Sequence, residues 1–175
     1  MEIERKYLLN ENIKKSIHVN YPLILSEKVF QGYFFNNNSS NEFRIRLEKI
    51  EESWARTLST LTIKSNKHSL IREEIEFPIS LKEAKHKMLN NCETFLFYQK
   101  DIYQLDENIR LEVKRINNGI IIGEIEFNNL SDQEKFDFKK YCAEFEDVTD
   151  KQKYYAKEMS KEIEKDKLIN ILKEF

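Results

Sequence analysis

Charged and apolar residues alternate with a period of two in several short segments of this 175-residue chain. In Glu42–Leu47 the even positions are charged and the odd ones apolar, and a similar alternation recurs in Ile71–Phe77 and Ile109–Ile116. Because successive side chains of a β-strand point to opposite faces, each segment predicts a strand with one charged and one apolar face. Turns such as Asn117-Asn118-Gly119 indicate that these strands pair in antiparallel fashion.

Eight strands can be placed in this way along the chain, and eight antiparallel strands are enough to close a barrel. They are Glu2–Leu9, Glu27–Phe35, Glu42–Leu47, Leu58–Ser65, Ile71–Phe77, Thr94–Tyr103, Ile109–Ile116 and Ile120–Phe127. No repeat or linker divides the sequence. We therefore expect an α+β fold over residues 1–175 as a single domain, with an eight-stranded antiparallel β-barrel, or tunnel, and flanking helices.

The helices are predicted from their capping signals. Capping boxes that begin at Ser80 and at Ser131 predict helices running to about Asn90 and to about Cys142. A helical turn is expected between residues 10 and 20, and the Lys- and Glu-rich tail predicts a C-terminal helix over about residues 151–175.

The alternation leaves open which face of the barrel points inward. In one arrangement the apolar residues fill the interior, the charges are solvated, and the protein binds an apolar ligand; composition alone favours it. In the inverse arrangement the apolar faces point outward against helices or a partner subunit. The charged interior would then comprise Glu2, Glu4, Lys6, Arg44, Arg46, Lys64, Arg72, Glu74, Glu76, Glu112, Lys114, Glu124 and Glu126.

The charges are sorted along the chain, and this favours the inverse arrangement. Basic residues concentrate on the third to fifth strands, whereas Glu2 with Glu4 and Glu124 with Glu126 lie on the first and last strands, which barrel closure would bring together. Two carboxylates 4 Å apart repel by about 4 kcal/mol at an effective dielectric of about 20. The four must therefore bind protons or hard cations such as Mg²⁺ or Mn²⁺, and the basic wall opposite suits a polyphosphate.

The motifs follow an order that resembles a known family. Glu2-x-Glu4-x-Lys6 resembles the ExExK signature of the CYTH domain, or triphosphate tunnel metalloenzyme, superfamily, and the resemblance extends to about residue 160. The further matching segments are Gln31-Gly32-Tyr33, Arg44-x-Arg46, Leu61-Thr62-Ile63-Lys64, Arg72-Glu73-Glu74-x-Glu76, Glu124-x-Glu126, Asp147-Val148-Thr149-Asp150 and Lys153-Tyr154-Tyr155. The chain departs from the family pattern at Ile102, at Lys114, where a carboxylate is expected, and at Lys153, where an arginine is expected.

The resemblance implies metal-dependent hydrolysis of a triphosphate, most simply inorganic tripolyphosphate, with Mg²⁺ or Mn²⁺. By motif position the implied metal ligands are Glu2, Glu4, Glu124 and Glu126, and the implied catalytic residues are Glu2, Glu4, Lys6, Glu74 and Glu76. The implied substrate-binding residues are Lys6, Arg44, Arg46, Lys64, Arg72, Lys100, Arg110, Lys114 and Lys153. Alternatives on the same scaffold are a class IV adenylate cyclase, a thiamine triphosphatase, and a catalytically weak module that binds polyphosphate or nucleotide.

Composition excludes several other classes of function. The net charge of −2 gives no overall attraction to nucleic acid or acidic membranes, and three glycines provide no glycine-rich phosphate loop. Cys92 and Cys142 lack the spacing of a zinc site and are expected as free thiols. Without an apolar leader or membrane span, we expect a cytoplasmic protein whose partner is a triphosphate-containing small molecule; outward apolar faces are compatible with a homodimer.

Overall fold

The computed structural model describes residues 2–35, 41–50, 57–65 and 71–175, and for Glu2, Ile71 and Arg72 it describes the backbone alone. The strands are β1 (Glu2–Leu9), β2 (Leu23–Phe34), β3 (Glu42–Ile50), β4 (Thr57–Lys64), β5 (Ile71–Arg72), β6 (Glu74–Pro78), β7 (Cys92–Asp106), β8 (Ile109–Ile116), β9 (Ile121–Glu126) and β10 (Glu146–Asp147). The α-helices are α1 (Glu11–Asn20), α2 (Leu81–Asn91), α3 (Leu130–Lys135), α4 (Ala156–Met159) and α5 (Lys165–Glu174). Short 3₁₀-helices cover Phe138–Lys140 and Gln152–Tyr154.

All described strands pair antiparallel in the order β10-β1-β9-β8-β7-β2-β3-β4-β6, and β5 lies off this path and pairs with β1. The α+β class with an antiparallel sheet is therefore confirmed. The sheet differs from the predicted eight-stranded barrel because it contains ten strands in the described residues and is not closed. The predicted fifth strand is broken at Glu73, so that β6 follows β4 whereas β5 reaches β1 through two residue pairs.

The apolar faces of β3 and β8 point outward and are covered by helices. Ile45 and Leu47 of β3 are fully buried against α2 and α5 in a cluster that includes Met88 and Leu168. Val113 of β8 lies in a separate cluster with residues of α1 and the 3₁₀-helix Phe138–Lys140. The inverse arrangement predicted from the sorting of charges is therefore the one that the molecule adopts.

A third apolar cluster closes one end of the interior. Its buried members are Val29, Tyr33, Leu96, Tyr98, Ile116, Ile122, Val148 and Met159. Leu96 and Tyr98 belong to the inner face of β7, and Met159 comes from α4, so that the C-terminal segment covers this end of the sheet. The interior is therefore capped by residues near α4 rather than by the longer helix α5, which packs outside.

Two predicted helices are shorter than expected. The C-terminal region is not one helix over 151–175, because the backbone of Lys161 pairs with Phe95 of β7 and interrupts it between α4 and α5. The helix expected to reach Cys142 ends at Lys135, and its N-cap is Asn129 rather than Ser131. In contrast, the Ser80 cap is confirmed by its hydrogen bond from the Glu83 N–H. In the described residues, no helix combines the length and the apolar character needed to cross a membrane.

The outward packing of β3 predicts a difference in stability between two isoleucines. Ile45→Val should lower the free energy of unfolding by about 1 kcal/mol because it leaves a small cavity in a fully buried cluster. Ile75→Val is the matched control, because Ile75 is 55% exposed on β6 and should lose little on truncation. Urea denaturation followed by circular dichroism measures both, and equal effects would contradict the packing described above.

Candidate functional site

A cavity of about 430 Å³ lies on the inner face of the sheet. Charged residues from six strands line it: Glu4 and Lys6 of β1, Glu42, Arg44 and Arg46 of β3, Lys64 of β4, Glu74 and Glu76 of β6, Glu112 and Lys114 of β8, and Glu124 and Glu126 of β9. Period-two alternation explains this lining, because within each strand the members are two residues apart and share a face. The structure thus brings together most of the residues predicted from the sequence, while the side chains of Glu2 and Arg72 lie outside the described part.

One half of the cavity wall alternates carboxylates with ammonium groups. Lys6 Nζ lies 2.8 Å from Glu4 Oε1 and 3.0 Å from Glu124 Oε1. Lys114 Nζ contacts Glu124 Oε2 and lies 3.2 Å from Glu112 Oε2. Both carboxylate oxygens of Glu124 therefore contact ammonium groups. Around Glu124, the side chains of Glu4, Lys6, Lys114 and Glu112 complete one continuous series of ion pairs. We call this half, with Glu4, Lys6, Glu112, Lys114, Glu124 and Glu126, the acidic wall.

Burial and charge act in opposite directions on the groups of the acidic wall. Burial by itself raises the pKa of the Glu124 carboxyl, but the ammonium groups of Lys114 and Lys6 lower it well below its ordinary value. Burial by itself lowers the pKa of Lys114, whereas the carboxylates of Glu124 and Glu112 raise it well above its ordinary value. The same balance raises the pKa of Lys6. These groups are consequently charged at neutral pH.

The other half, which we call the basic wall, comprises Arg44, Arg46 and Lys64. Glu74 holds two of these groups, since its oxygens lie 2.7 Å from Arg44 Nη2 and 3.0 Å from Lys64 Nζ. Arg46 Nη1 lies 3.6 Å from Glu48, and the Nε atoms of Arg44 and Arg46 are buried without a hydrogen-bond partner. An unpaired buried donor on a charged group is costly, so these two guanidinium groups have capacity for an anion in the cavity.

Neutral side chains that sequence reasoning did not assign to the site complete the lining. Gln31 Nε2 donates to the Tyr98 hydroxyl, and the Tyr33 hydroxyl donates to Gln31 Oε1 at 3.0 Å. Burial raises the pKa of Tyr33 well above its ordinary value, so that its hydroxyl stays protonated and can donate. Gln31 and Tyr33 stand in a matching motif, but their hydrogen bonds with Tyr98 depend on strand pairing that no local pattern encodes.

Three predicted substrate-binding residues lie outside the lining of this cavity. Lys100 is buried between Glu27 and Glu48, with its Nζ contacting both carboxylates. Arg110 lines a second cavity of about 600 Å³, which shares residues of the acidic wall with the first. Lys153 is exposed, and its Nζ lies 4.9 Å from the centre of the Tyr154 ring.

The C-terminal segment nevertheless supplies a cation to the lining. Lys157 of α4, four residues after Lys153, reaches the cavity lining together with Tyr155. Sequence reasoning missed Lys157 because a continuous C-terminal helix was expected there, and no residue pattern marks the point where the chain turns to cover the cavity.

The acidic wall does not form a ready metal site in the described side chains. Glu4 and Glu126 are register partners, as are Lys6 and Glu124, so that an ammonium group enters the predicted ligand set. Within the described ranges, no three acidic, histidine or cysteine side chains converge as metal ligands. Between Glu4 and Glu124 the predicted repulsion is relieved by Lys6, which contacts both carboxylates. As they stand, these residues do not fit a divalent ion held between Glu4 and Glu124.

No family model matches the sequence, and no curated protein matches it. Among solved structures, the inorganic triphosphatase NE1496 is similar at 20% identity and a TM-score of 0.59, covering 90% of this chain and 92% of its own. PH1012 from Pyrococcus horikoshii OT3 is 26% identical with a TM-score of 0.58, covering 77% of this chain and 84% of its own. HpAC1 from Hippeastrum, a proposed adenylyl cyclase with a dominant triphosphatase activity, is 15% identical with a TM-score of 0.55, covering 77% and 83%.

These likenesses show that the chain shares the fold of NE1496 and HpAC1. The shared fold is consistent with the CYTH, or triphosphate tunnel metalloenzyme, superfamily that the motifs of this chain resemble.

Proposed function

We propose that this chain binds a triphosphate compound in the charged cavity and hydrolyses it, with inorganic tripolyphosphate as the preferred substrate. The observation that carries the proposal is that Arg44 and Arg46 line the cavity while their buried Nε atoms have no hydrogen-bond partner. A polyphosphate offers several anionic oxygens, and the forked guanidinium donors match their geometry.

The basic wall is suited to bind the phosphate groups without rearrangement. Glu74 contacts both Arg44 and Lys64 and so fixes the positions of two cations. Positioned charges stabilise a developing anion more effectively than mobile ones, because no reorganisation is needed during the reaction. The basic wall would therefore bind the polyphosphate chain and stabilise the negative charge on the leaving group.

The chemistry proposed for the cavity is attack of water on the terminal phosphorus atom. A bond forms from the water oxygen to phosphorus, the bond from phosphorus to the bridging oxygen breaks, and pyrophosphate leaves. Glu4 is the carboxylate that we assign to orient the water and accept its proton, since it lines the same cavity as the basic wall. The motifs imply a requirement for Mg²⁺ or Mn²⁺.

Two of the structurally similar proteins support this choice of reaction. NE1496 is described as an inorganic triphosphatase, and HpAC1 as having a dominant triphosphatase activity.

Phosphate release from tripolyphosphate, ATP and thiamine triphosphate tests the proposal. Each substrate is assayed with Mg²⁺, with Mn²⁺ and with EDTA, and we expect the fastest release from tripolyphosphate. Glu4→Gln should reduce that release by about 100-fold or more, the scale expected for loss of a general base. Glu144→Gln, an exposed surface change, should leave it unaltered.

Other outcomes of the same assay select the alternatives. Binding of tripolyphosphate without release of phosphate from any substrate would favour a catalytically weak binding module. Conversion of ATP to cyclic AMP would favour the cyclase. Release that is equal in wild type and Glu4→Gln would contradict the assignment of the carboxylate.

A further inference from the structure

We propose that the ammonium group of Lys114 is a built-in cation that occupies the space between Glu112 and Glu124 and closes this pair of carboxylates to divalent metal ions. The inference concerns the same cavity as the proposed function, but it depends on ion binding in the absence of substrate. A negative result for tripolyphosphate hydrolysis and a negative result for Mn²⁺ binding are therefore distinguishable.

The strand register explains why a cation is needed at this place. Glu112 of β8 and Glu124 of β9 are direct register partners on the inner face. Like charges directly opposite each other on neighbouring strands are destabilising, and burial strengthens the repulsion. A cation between them relieves this repulsion, whether an ammonium group or a metal ion supplies it.

Lys114 supplies that cation from the same strand as Glu112. Two residues along β8, its side chain shares the inner face, contacts Glu124 Oε2 and lies 3.2 Å from Glu112 Oε2. Mg²⁺ binds oxygen at about 2.0–2.1 Å and demands octahedral geometry, so it cannot use both carboxylates while the ammonium lies between them. The ion pair and a metal bridge are thus mutually exclusive occupants of one position.

The charges of the acidic wall support the same conclusion. Its described side chains comprise four carboxylates, Glu4, Glu112, Glu124 and Glu126, and two ammonium groups, Lys6 and Lys114, so that their formal charges sum to −2. One divalent ion would balance this net charge of −2. Removing the Lys114 charge would leave three negative charges and would free an oxygen on each of Glu112 and Glu124.

Titration of the wall with Mn²⁺ tests the inference. Isothermal titration calorimetry without substrate is run on wild type and on Lys114→Met, which keeps the length of the side chain and removes its charge. We expect Lys114→Met to bind one more Mn²⁺ per chain than wild type. The same number of Mn²⁺ ions in both proteins, including none in either, would overturn the inference.

Two control variants separate this effect from a general change of charge. Lys114→Arg keeps a cation between the carboxylates and should bind the same number of Mn²⁺ ions as wild type. Arg115→Met removes a charge from the next residue of β8, which is exposed and lies 2.7 Å from Glu11 on the surface, and it should also match wild type. An added site in either control would overturn the inference.

Folding of the variant gives a second readout. If Lys114→Met does not fold in EDTA because Glu112 and Glu124 repel, Mn²⁺ should restore the sheet signal in circular dichroism, since the ion replaces the missing cation. Failure of Mn²⁺ to restore that signal would overturn the inference. The result does not depend on whether tripolyphosphate is hydrolysed, so it distinguishes this inference from the proposed function.

Discussion

Arg46→Met is expected to weaken tripolyphosphate binding by about 100-fold or more. The Arg46 side chain lines the cavity with its Nε atom buried and unpaired, so that a bound phosphate would gain charge-assisted hydrogen bonds from it. Loss of such bonds costs about 3 kcal/mol, which corresponds to about a hundredfold change in the dissociation constant. Isothermal titration calorimetry with tripolyphosphate measures this change directly.

Two further variants define what Arg46 contributes. Arg46→Lys keeps the positive charge but loses the forked donors, and its affinity should fall between those of wild type and Arg46→Met. Arg115→Met removes an outward-facing arginine and should bind as wild type does. Wild-type affinity in Arg46→Met would show that the anion does not bind at the basic wall.

Glu124→Gln should lower the free energy of unfolding at pH 7 by about 3–5 kcal/mol. Glu124 is buried and contacts both Lys6 and Lys114, so its neutralisation removes one of the two carboxylate partners of each ammonium group, and breaking buried ion pairs is strongly destabilising. Urea denaturation of wild type and variant measures the loss. Glu146→Gln is the control, since it breaks an exposed ion pair with Lys151 and should produce no measurable change.

The same variant should alter the dependence of stability on pH. The pKa of Glu124 is lowered in the folded state, so its contribution is complete above the unfolded pKa of about 4.3 and is lost as pH falls towards the folded pKa. The difference between wild type and Glu124→Gln should therefore be about 1 kcal/mol smaller at pH 3.5 than at pH 7. A difference that is constant, or larger at pH 3.5, would contradict the assignment of an ionised, paired Glu124.

Local alternation was sufficient to predict which residues of a strand share a face, whereas the face that points inward was inferred from the sorting of charges along the whole chain. In β3 the alternation alone places Arg44 and Arg46 on one face and Ile45 on the other, and the structure confirms that the first pair lines the cavity while Ile45 packs outward. The period of side chains along a strand is fixed by backbone geometry, so this prediction needs no knowledge of the neighbouring strands.

The pairing of charges could not be predicted in the same way. Four carboxylates were expected to bind protons or hard cations, whereas Lys6 lies between Glu4 and Glu124 and Lys114 lies between Glu112 and Glu124. These contacts depend on the register of β1, β8 and β9, which alternation leaves undetermined. The sequence thus identified residues of the acidic wall, but it did not identify the ion-pair partner of each residue.

Tertiary packing also overrides local helical preference near the C-terminus. The composition of residues 151–175 predicts a helix, yet the backbone of Lys161 pairs with Phe95 and leaves the four-residue helix α4 to cover the interior. Intrinsic helix propensity is a weak preference that a few long-range hydrogen bonds can reverse. For this reason Lys157, and not the predicted Lys153, lines the cavity.

A crystal structure with a triphosphate whose bridging oxygens are replaced by imido groups tests the central claim most directly. If the charged cavity is the triphosphate site, phosphate oxygens should lie within hydrogen-bonding distance of Arg44 and Arg46, about 2.7–3.2 Å, between the acidic and basic walls. The analogue bound on the outer surface, with the cavity filled by water alone, would contradict the claim.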